Sequence, residues 1–160
     1  MSLDINTPRG QESVHEEDRM LAIIKQSYPS LQFFHTPIKR SALIDGFIVK
    51  DNELRALFES KCRRESLQSF SEPPMNNEWM ISQHKLNSAA TIAKHLSVPF
   101  CGFLYLVNDN RVLMFKLTDE TGRFIHPMRV ERRKTSASCN GGTMIDTCYF
   151  INLKYAIYVN

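Results

Sequence analysis

No stretch of this sequence comes near the ~20 consecutive apolar residues that a membrane-spanning helix needs. Its opening, MSLDINTPRGQESVHEED, has no apolar core of the kind a secretory signal carries. No export route is visible, so the expectation is a cytoplasmic, intracellular protein with no membrane partner. Glycine is scarce, six in 160 residues, and neither GxxxxGK[ST] nor GxGxxG occurs. A glycine-rich phosphate cradle is therefore excluded. A G-x-S-x-G nucleophile elbow is also missing, and no cysteine has a convincing histidine partner. The four cysteines, Cys62, Cys101, Cys139 and Cys148, form no C-x-x-C pair and have no zinc-finger spacing. They read as thiols that pack as small hydrophobes. Of the histidines His15, His35, His84, His95 and His126, the pair His84 and His95 stands eleven residues apart on one expected helix, too far to share a metal.

What is present is ordinary globular material, 42% hydrophobic and 23% charged. That excludes low-complexity disorder, collagen and coiled coil. A chain of this length reads as one domain over 1–160 and can bury roughly 70% of the surface its unfolded form exposes, so no disulfide or metal staple is needed. The net charge of +3 permits a polyanionic partner without demanding one.

Residues 1–10 read as a loose leader, 11–107 as a core and 108–160 as a β-rich extension. Val14, Met20, Leu21, Ile23 and Ile24 recur at helical spacing, so 11–27 is expected as a helix, with acids crowding its first turns where the dipole favours them. Leu31–His35 is a short β-like run. Ala42–Lys50 and Leu54–Cys62 flank the polar Asp51-Asn52-Glu53 and read as a hairpin. Residues 63–77, with Pro73-Pro74, read as a loop. Trp79–Leu96 is expected as a second long helix, with Leu86, Ala89, Ala90, Ala93 and Leu96 on its apolar face. Phe100–Val107 is a nearly unbroken apolar run, as in a strand covered on both faces. Asn108-Asp109-Asn110 turns it, and Arg111–Leu117 pairs back. Beyond lie loops over 118–146, with a turn at Asn140-Gly141-Gly142, and a last strand over Thr147–Val159. The order α, β, β, β, α, β, β is that of an α/β or α+β fold: a mixed central sheet flanked by helices.

The chemistry concentrates in ALIDGFIVKDNELRALFESKC, residues 42–62. Asp45 is an acid among apolar strand neighbours. Glu59 and Lys61 share one face of the partner strand, and Ser60 points to the other. Register decides whether Asp45 joins them. A three-residue loop puts it opposite Glu59, and a two-residue loop puts Phe58 there instead. Directly opposed residues have Cβ atoms ~4.5–5.5 Å apart. Carboxylates that close repel unless a cation intervenes or one takes a proton. Mg²⁺ suits such a pair, because it takes one or two carboxylates, keeps several waters and also binds phosphate. A lysine two residues on can orient or deprotonate a water.

Asp45, thirteen intervening residues and then Glu59-Ser60-Lys61 resemble the signature of the PD-(D/E)xK nuclease superfamily, the restriction-endonuclease-like fold. Its αβββαβ core is similar to the order read over 11–107. Gly10 ahead of the acidic helix resembles the opening of archaeal-type Holliday-junction resolvases. One departure is Ile44, where the signature has proline. The resemblance implies a metal-dependent nuclease, expected to act on DNA as an endonuclease. Mg²⁺, or Mn²⁺ in its place, would sit on Asp45 and Glu59, and Lys61 would assist the attacking water. Glu17, which shares the core-facing side of its helix, would join the metal shell; Glu16 and Glu12 are weaker choices. Gln83 and Lys85, on the helix after the third strand, would hold the attacking water or a phosphate. Arg63 and Arg64 would contact the nucleic acid, and a homodimer is a common arrangement in the family. Arg129, Arg132, Arg133 and Lys134 would be backbone contacts beside such a site, although charge runs are usually solvated faces. The competing expectation is a nuclease-like module that binds nucleic acid or protein without catalysis.

Overall fold

The computed structural model describes residues 6–37, 42–134 and 143–160. The expected turn at Asn140-Gly141-Gly142, Cys139 and the first part of the leader lie outside the described residues. Helix α1 spans Pro8–Ser27. It starts earlier than periodicity suggests, because the Thr7 hydroxyl accepts the Gly10 N–H at 3.1 Å and Pro8 takes a first-turn position. Gly10 therefore lies inside the helix, and Glu12, Glu16 and Glu17 fall beyond its first turn.

Strand β1 is Gln32–His35, β2 is Gly46–Lys50 and β3 is Glu53–Arg63. Residues 63–77 are not all loop. Ser66 heads a capping box with Ser69, and the short helix α2 follows over Leu67–Ser71. Nor is 79–96 one helix. Glu78–Ser82 forms strand β4, and helix α3 covers only Gln83–His95. The physical reason is a change of period: Trp79 and Ile81 are buried while Met80 between them is exposed, a two-residue alternation that a helix cannot satisfy. Strand β5 is Phe100–Leu106 and β6 is Arg111–Lys116. The region expected as loops contains strand β7, Arg129–Lys134. The expected last strand divides into β8, Ile145–Asn152, a single 3₁₀ turn and β9, Ile157–Tyr158.

The chain is a mixed α/β fold with two sheets. The larger is ordered β1-β2-β3-β5-β6-β9, with β3 and β5 parallel and the other neighbours antiparallel. The smaller is β4-β8-β7, all antiparallel. One face of the large sheet packs on α1 through Met20, Ile24, Ala56, Phe58, Phe103 and Tyr105. Met20 and Ile24 are fully buried, which stabilises the fold by about 1.5–3 kcal/mol for each side chain. The other face packs Leu57, Phe100 and Leu104 against Leu86, Ala89 and Ala93 of α3 and against Trp79, Ile81 and Ile151 of the small sheet. Both faces of β5 are covered, and all seven of its residues are buried, as its apolar run predicts. Among the described residues no helix is long and apolar enough to cross a membrane. Cys62, Cys101 and Cys148 are free thiols.

Candidate active site

The site forms where β2, β3 and α3 meet, and it depends on how the β2–β3 hairpin counts its residues. Lys50 pairs with Glu53 across a two-residue turn, Asp51-Asn52, with φ of 53° and 60°. Both residues take the left-handed conformation that a tight hairpin turn requires. Taken alone, that turn would put Asp45 opposite Phe58. A bulge between Ile48 and Val49 leaves Arg55 unpaired, however, and Ile48 then pairs with Ala56 and Gly46 with Phe58. The ladder ends there: Asp45 lies in the bend just before β2, its N–H donates to the Phe58 carbonyl at 3.1 Å, and its carboxylate reaches the Ser60 N–H and Lys85. Of the two loop lengths weighed from sequence, the two-residue turn is the one present; the extra residue on β3 belongs to neither. Gly46 is required beside Asp45. A Cβ there would stand 2.2 Å from the Phe34 carbonyl oxygen and 2.7 Å from the Phe58 ring.

Past Phe58, β3 turns charged. Its alternation sends Ser60 and Cys62 toward α1, and Glu59, Lys61 and Arg63 toward α3. On the α3 side the Lys85 ammonium lies between two carboxylates. It pairs closely with Glu59 Oε1 and stands 3.6 Å from Asp45 Oδ1. Glu59 is buried, and its second oxygen, Oε2, has no hydrogen-bond partner among the described residues. Dehydration, reinforced by the charge of Asp45, lifts the Glu59 carboxyl from its ordinary 4.5 to about 7, against the opposing pull of Lys85 and Lys61. Dehydration works against the charge on Lys85, but Glu59 and Asp45 together outweigh it and raise its pKa. The proton of the pair therefore stays on Lys85, and Glu59 is the member near its midpoint at neutral pH. Lys61 is exposed, yet the surrounding protein partly dehydrates its ammonium. Together with the charges of Arg63 and Lys85, this lowers its pKa, with Glu59 and Asp45 opposing.

On the α1 side, Ser60 joins two acids. Its N–H donates to Asp45 Oδ2 at 2.8 Å, and its Oγ lies 2.7 Å from Glu17 Oε1 and 3.2 Å from Asp45 Oδ2. One hydroxyl proton can serve only one of those oxygens at a time, so Asp45 and Glu17 share a single donor. Glu17 thus reaches Asp45 through Ser60, on the sheet face opposite Glu59 and Lys61. Arg64 is occupied by Glu16, at 3.0 Å, and by Glu12.

Asp45, Glu59, Lys61 and Lys85 are therefore one cluster, with Glu17 attached from behind. Gln83 is not bonded to it, because its amide donates to the Tyr149 hydroxyl at 3.2 Å. Arg63 follows Lys61 along the same face. Ser60 is the residue that strand parity hides: a side chain pointing away from the acids still holds one of them by its backbone. Among the described residues no three His, Cys, Asp or Glu side chains converge as a metal cage. The arrangement offers two carboxylates around one cation, with an unsatisfied oxygen beside it. Comparison with known proteins found no matching family model, no matching curated protein and no matching solved structure.

Proposed function

We propose that this chain is a metal-dependent nuclease of the PD-(D/E)xK type, which hydrolyses phosphodiester bonds of nucleic acid, with DNA the expected substrate. In this reading α1, β1, β2, β3, α3 and β5 are a restriction-endonuclease-like core, and β4 and the strands after β5 are additions to it. One observation carries the reading: carboxylates from β3 and from the bend that leads into β2 are held at a single positive charge, while a buried oxygen of Glu59 has no partner among the described residues. A buried salt bridge that serves only stability gains most when its lone pairs are all used. An oxygen left open next to a cation suits a ligand that the protein itself does not supply.

Asp45 and Glu59 fit Mg²⁺, which takes one or two carboxylates and keeps its waters; the ammonium of Lys85 occupies the place of that charge. Bound there, Mg²⁺ or Mn²⁺ supplies a water of lowered pKa and positive charge against the leaving oxygen. Lys61, whose proton is loosened by dehydration, orients the attacking water and takes its proton. With a metal on the two acids, Lys85 would be free to offer its charge to a phosphate oxygen. Ser60 fixes Asp45, and Glu17 adds negative charge behind it. Arg63 lies on the same face for a phosphate contact, whereas Arg64 is held by α1.

The test is cleavage of plasmid, oligonucleotide and RNA substrates with Mg²⁺, Mn²⁺ or EDTA. Asp45→Asn should lower the metal-dependent rate by at least ~10²-fold. A wild type inert on every substrate, or Asp45→Asn cutting at the wild-type rate, would refute the reading. A second reading, a binding module without catalysis, draws on the same ammonium: Lys85 already neutralises the acid pair, so the fold does not need a metal to tolerate it. Binding without cleavage in Mg²⁺ would favour that module.

A further inference from the structure

The two faces of the β7–β8 ribbon differ in charge. Antiparallel partners share a face, so the registers of β4, β8 and β7 sort the side chains. Trp79 pairs with Ile151 and Ile81 with Tyr149 on the side buried against α3, and Tyr149 pairs with Val130. Arg132 and Lys134 continue this inner face, opposite Thr147 and Ile145. The outer face carries Arg129, Glu131 and Arg133, with Phe150, Cys148 and Asp146 opposite them.

Every acid of the small sheet is on the outer face. Arg129 pairs with Glu78 at 2.6 Å and with Glu131, and Arg133 pairs with Glu131 at 2.9 Å. Both guanidiniums lie over the Phe150 ring, at 4.1 and 5.1 Å from its centroid. These two arginines are neutralised and are covering an aromatic ring. Arg132 and Lys134 are exposed, and among the described residues neither forms an ion pair. The following segment 135–142, TSASCNGG, contains no acid. On the same face, Tyr149 meets the start of α3. Tyr149 holds Gln83, the first residue of α3, and Lys85 stands two residues further along that helix.

We infer that the inner face of the β7–β8 ribbon, where β7 leaves it open, is a docking surface for the phosphates of a nucleic-acid strand, contacted by Arg132 and Lys134. This deepens the nuclease reading and rests on its choice of a nucleic-acid substrate. It also divides the basic run into two phosphate contacts and two structural arginines. Unpaired cations confined to one face complement a polyanion, and such contacts give affinity without sequence preference.

The experiment uses the full chain carrying Asp45→Asn, so that substrate is not consumed. Binding to a fluorescein-labelled DNA duplex is followed by anisotropy across a salt series. Relative to that parent, Arg132→Gln with Lys134→Gln should reduce the magnitude of the slope of log K against log[salt] by about 2, one for each lost phosphate contact. Lys25→Gln with Lys94→Gln removes the same charge from exposed helix positions and should leave the slope unchanged. Arg132→Lys with Lys134→Arg should keep it as well, and a loss there would assign the effect to disturbed structure and overturn the inference. A glutamine pair that binds with the parent's slope and affinity also overturns it and leaves the nuclease reading intact. A parent that binds no DNA removes both.

Discussion

The two faces of β3 beyond Phe58 each bury a carboxylate beside a basic side chain, and they treat it differently. On the α1 face, Glu16 is met by Arg64, whose guanidinium also holds Glu12 and reaches into solvent. On the α3 face, Glu59 is met by Lys85, which it shares with Asp45, and one of its oxygens has no hydrogen-bond partner among the described residues. Glu16 joins helix α1 to the bend that follows β3. Glu59 is raised toward neutrality by its surroundings and left incomplete. Burial alone therefore does not separate the two acids. Their cations do: a guanidinium that reaches solvent for Glu16, and a more enclosed ammonium held between two carboxylates for Glu59.

The sharpest way to break the comparison is to remove each cation. Lys85→Met leaves Asp45 and Glu59 facing each other with no charge between them. Because Lys85 is 37% exposed, the loss should be about 1–3 kcal/mol, below that of a fully buried pair. It should show as a lowered Tm in EDTA. Adding Mn²⁺ should raise the Tm of Lys85→Met more than that of wild type; equal shifts would mean that the acid pair takes no metal.

A pH series sharpens the contrast. A carboxyl raised from 4.5 to about 7 on folding holds more protons folded than unfolded between those values. Stability then falls as pH rises through that window, by at most about 3 kcal/mol from this group. Glu59→Gln should remove that slope in thermal melts between pH 4.5 and 7, and an unchanged slope would assign the proton elsewhere. The smallest effect belongs to the structural acid. Glu16→Gln should cost about 1 kcal/mol or less, since its partner is largely solvated, and cleavage per folded molecule should stay at the wild-type level. A loss of cleavage comparable to that of Asp45→Asn would erase the distinction between the two faces.

Much of this was legible before any coordinates. The α1 stripe, the β2–β3 hairpin, the doubly covered β5 and its return strand β6 all follow from apolar spacing, which burial enforces. Glu59 and Lys61 lie on one face because strand alternation admits no other outcome. Three things were not legible. The bulge at Ile48/Val49 has no local marker, since Leu54-Arg55-Ala56 reads equally well as unbroken strand. Strand β4 is hidden because Trp79, Ile81 and the helical stripe of α3 follow without a break, so two periods merge into one apolar pattern. Strand β7, RVERRK, has an edge composition in which charge replaces the hydrophobic alternation that identifies a strand. At the site, Lys85 was visible as a polar residue on the helix after the third strand, but its place between the two acids requires the docking angle of α3, and periodicity does not carry that.

The unpaired Arg55 has one further consequence, for what lengths this hairpin can tolerate. Turn and bulge together form a parity device. Adding or deleting a single residue between Asp51 and Arg55 would exchange inside for outside along the strand and carry the Asp45 side chain through the sheet, away from α3. Two residues, or one residue together with loss of the bulge, would restore it. Drift in chain length at this corner is thus constrained to even steps, or to single steps that remove the bulge as well.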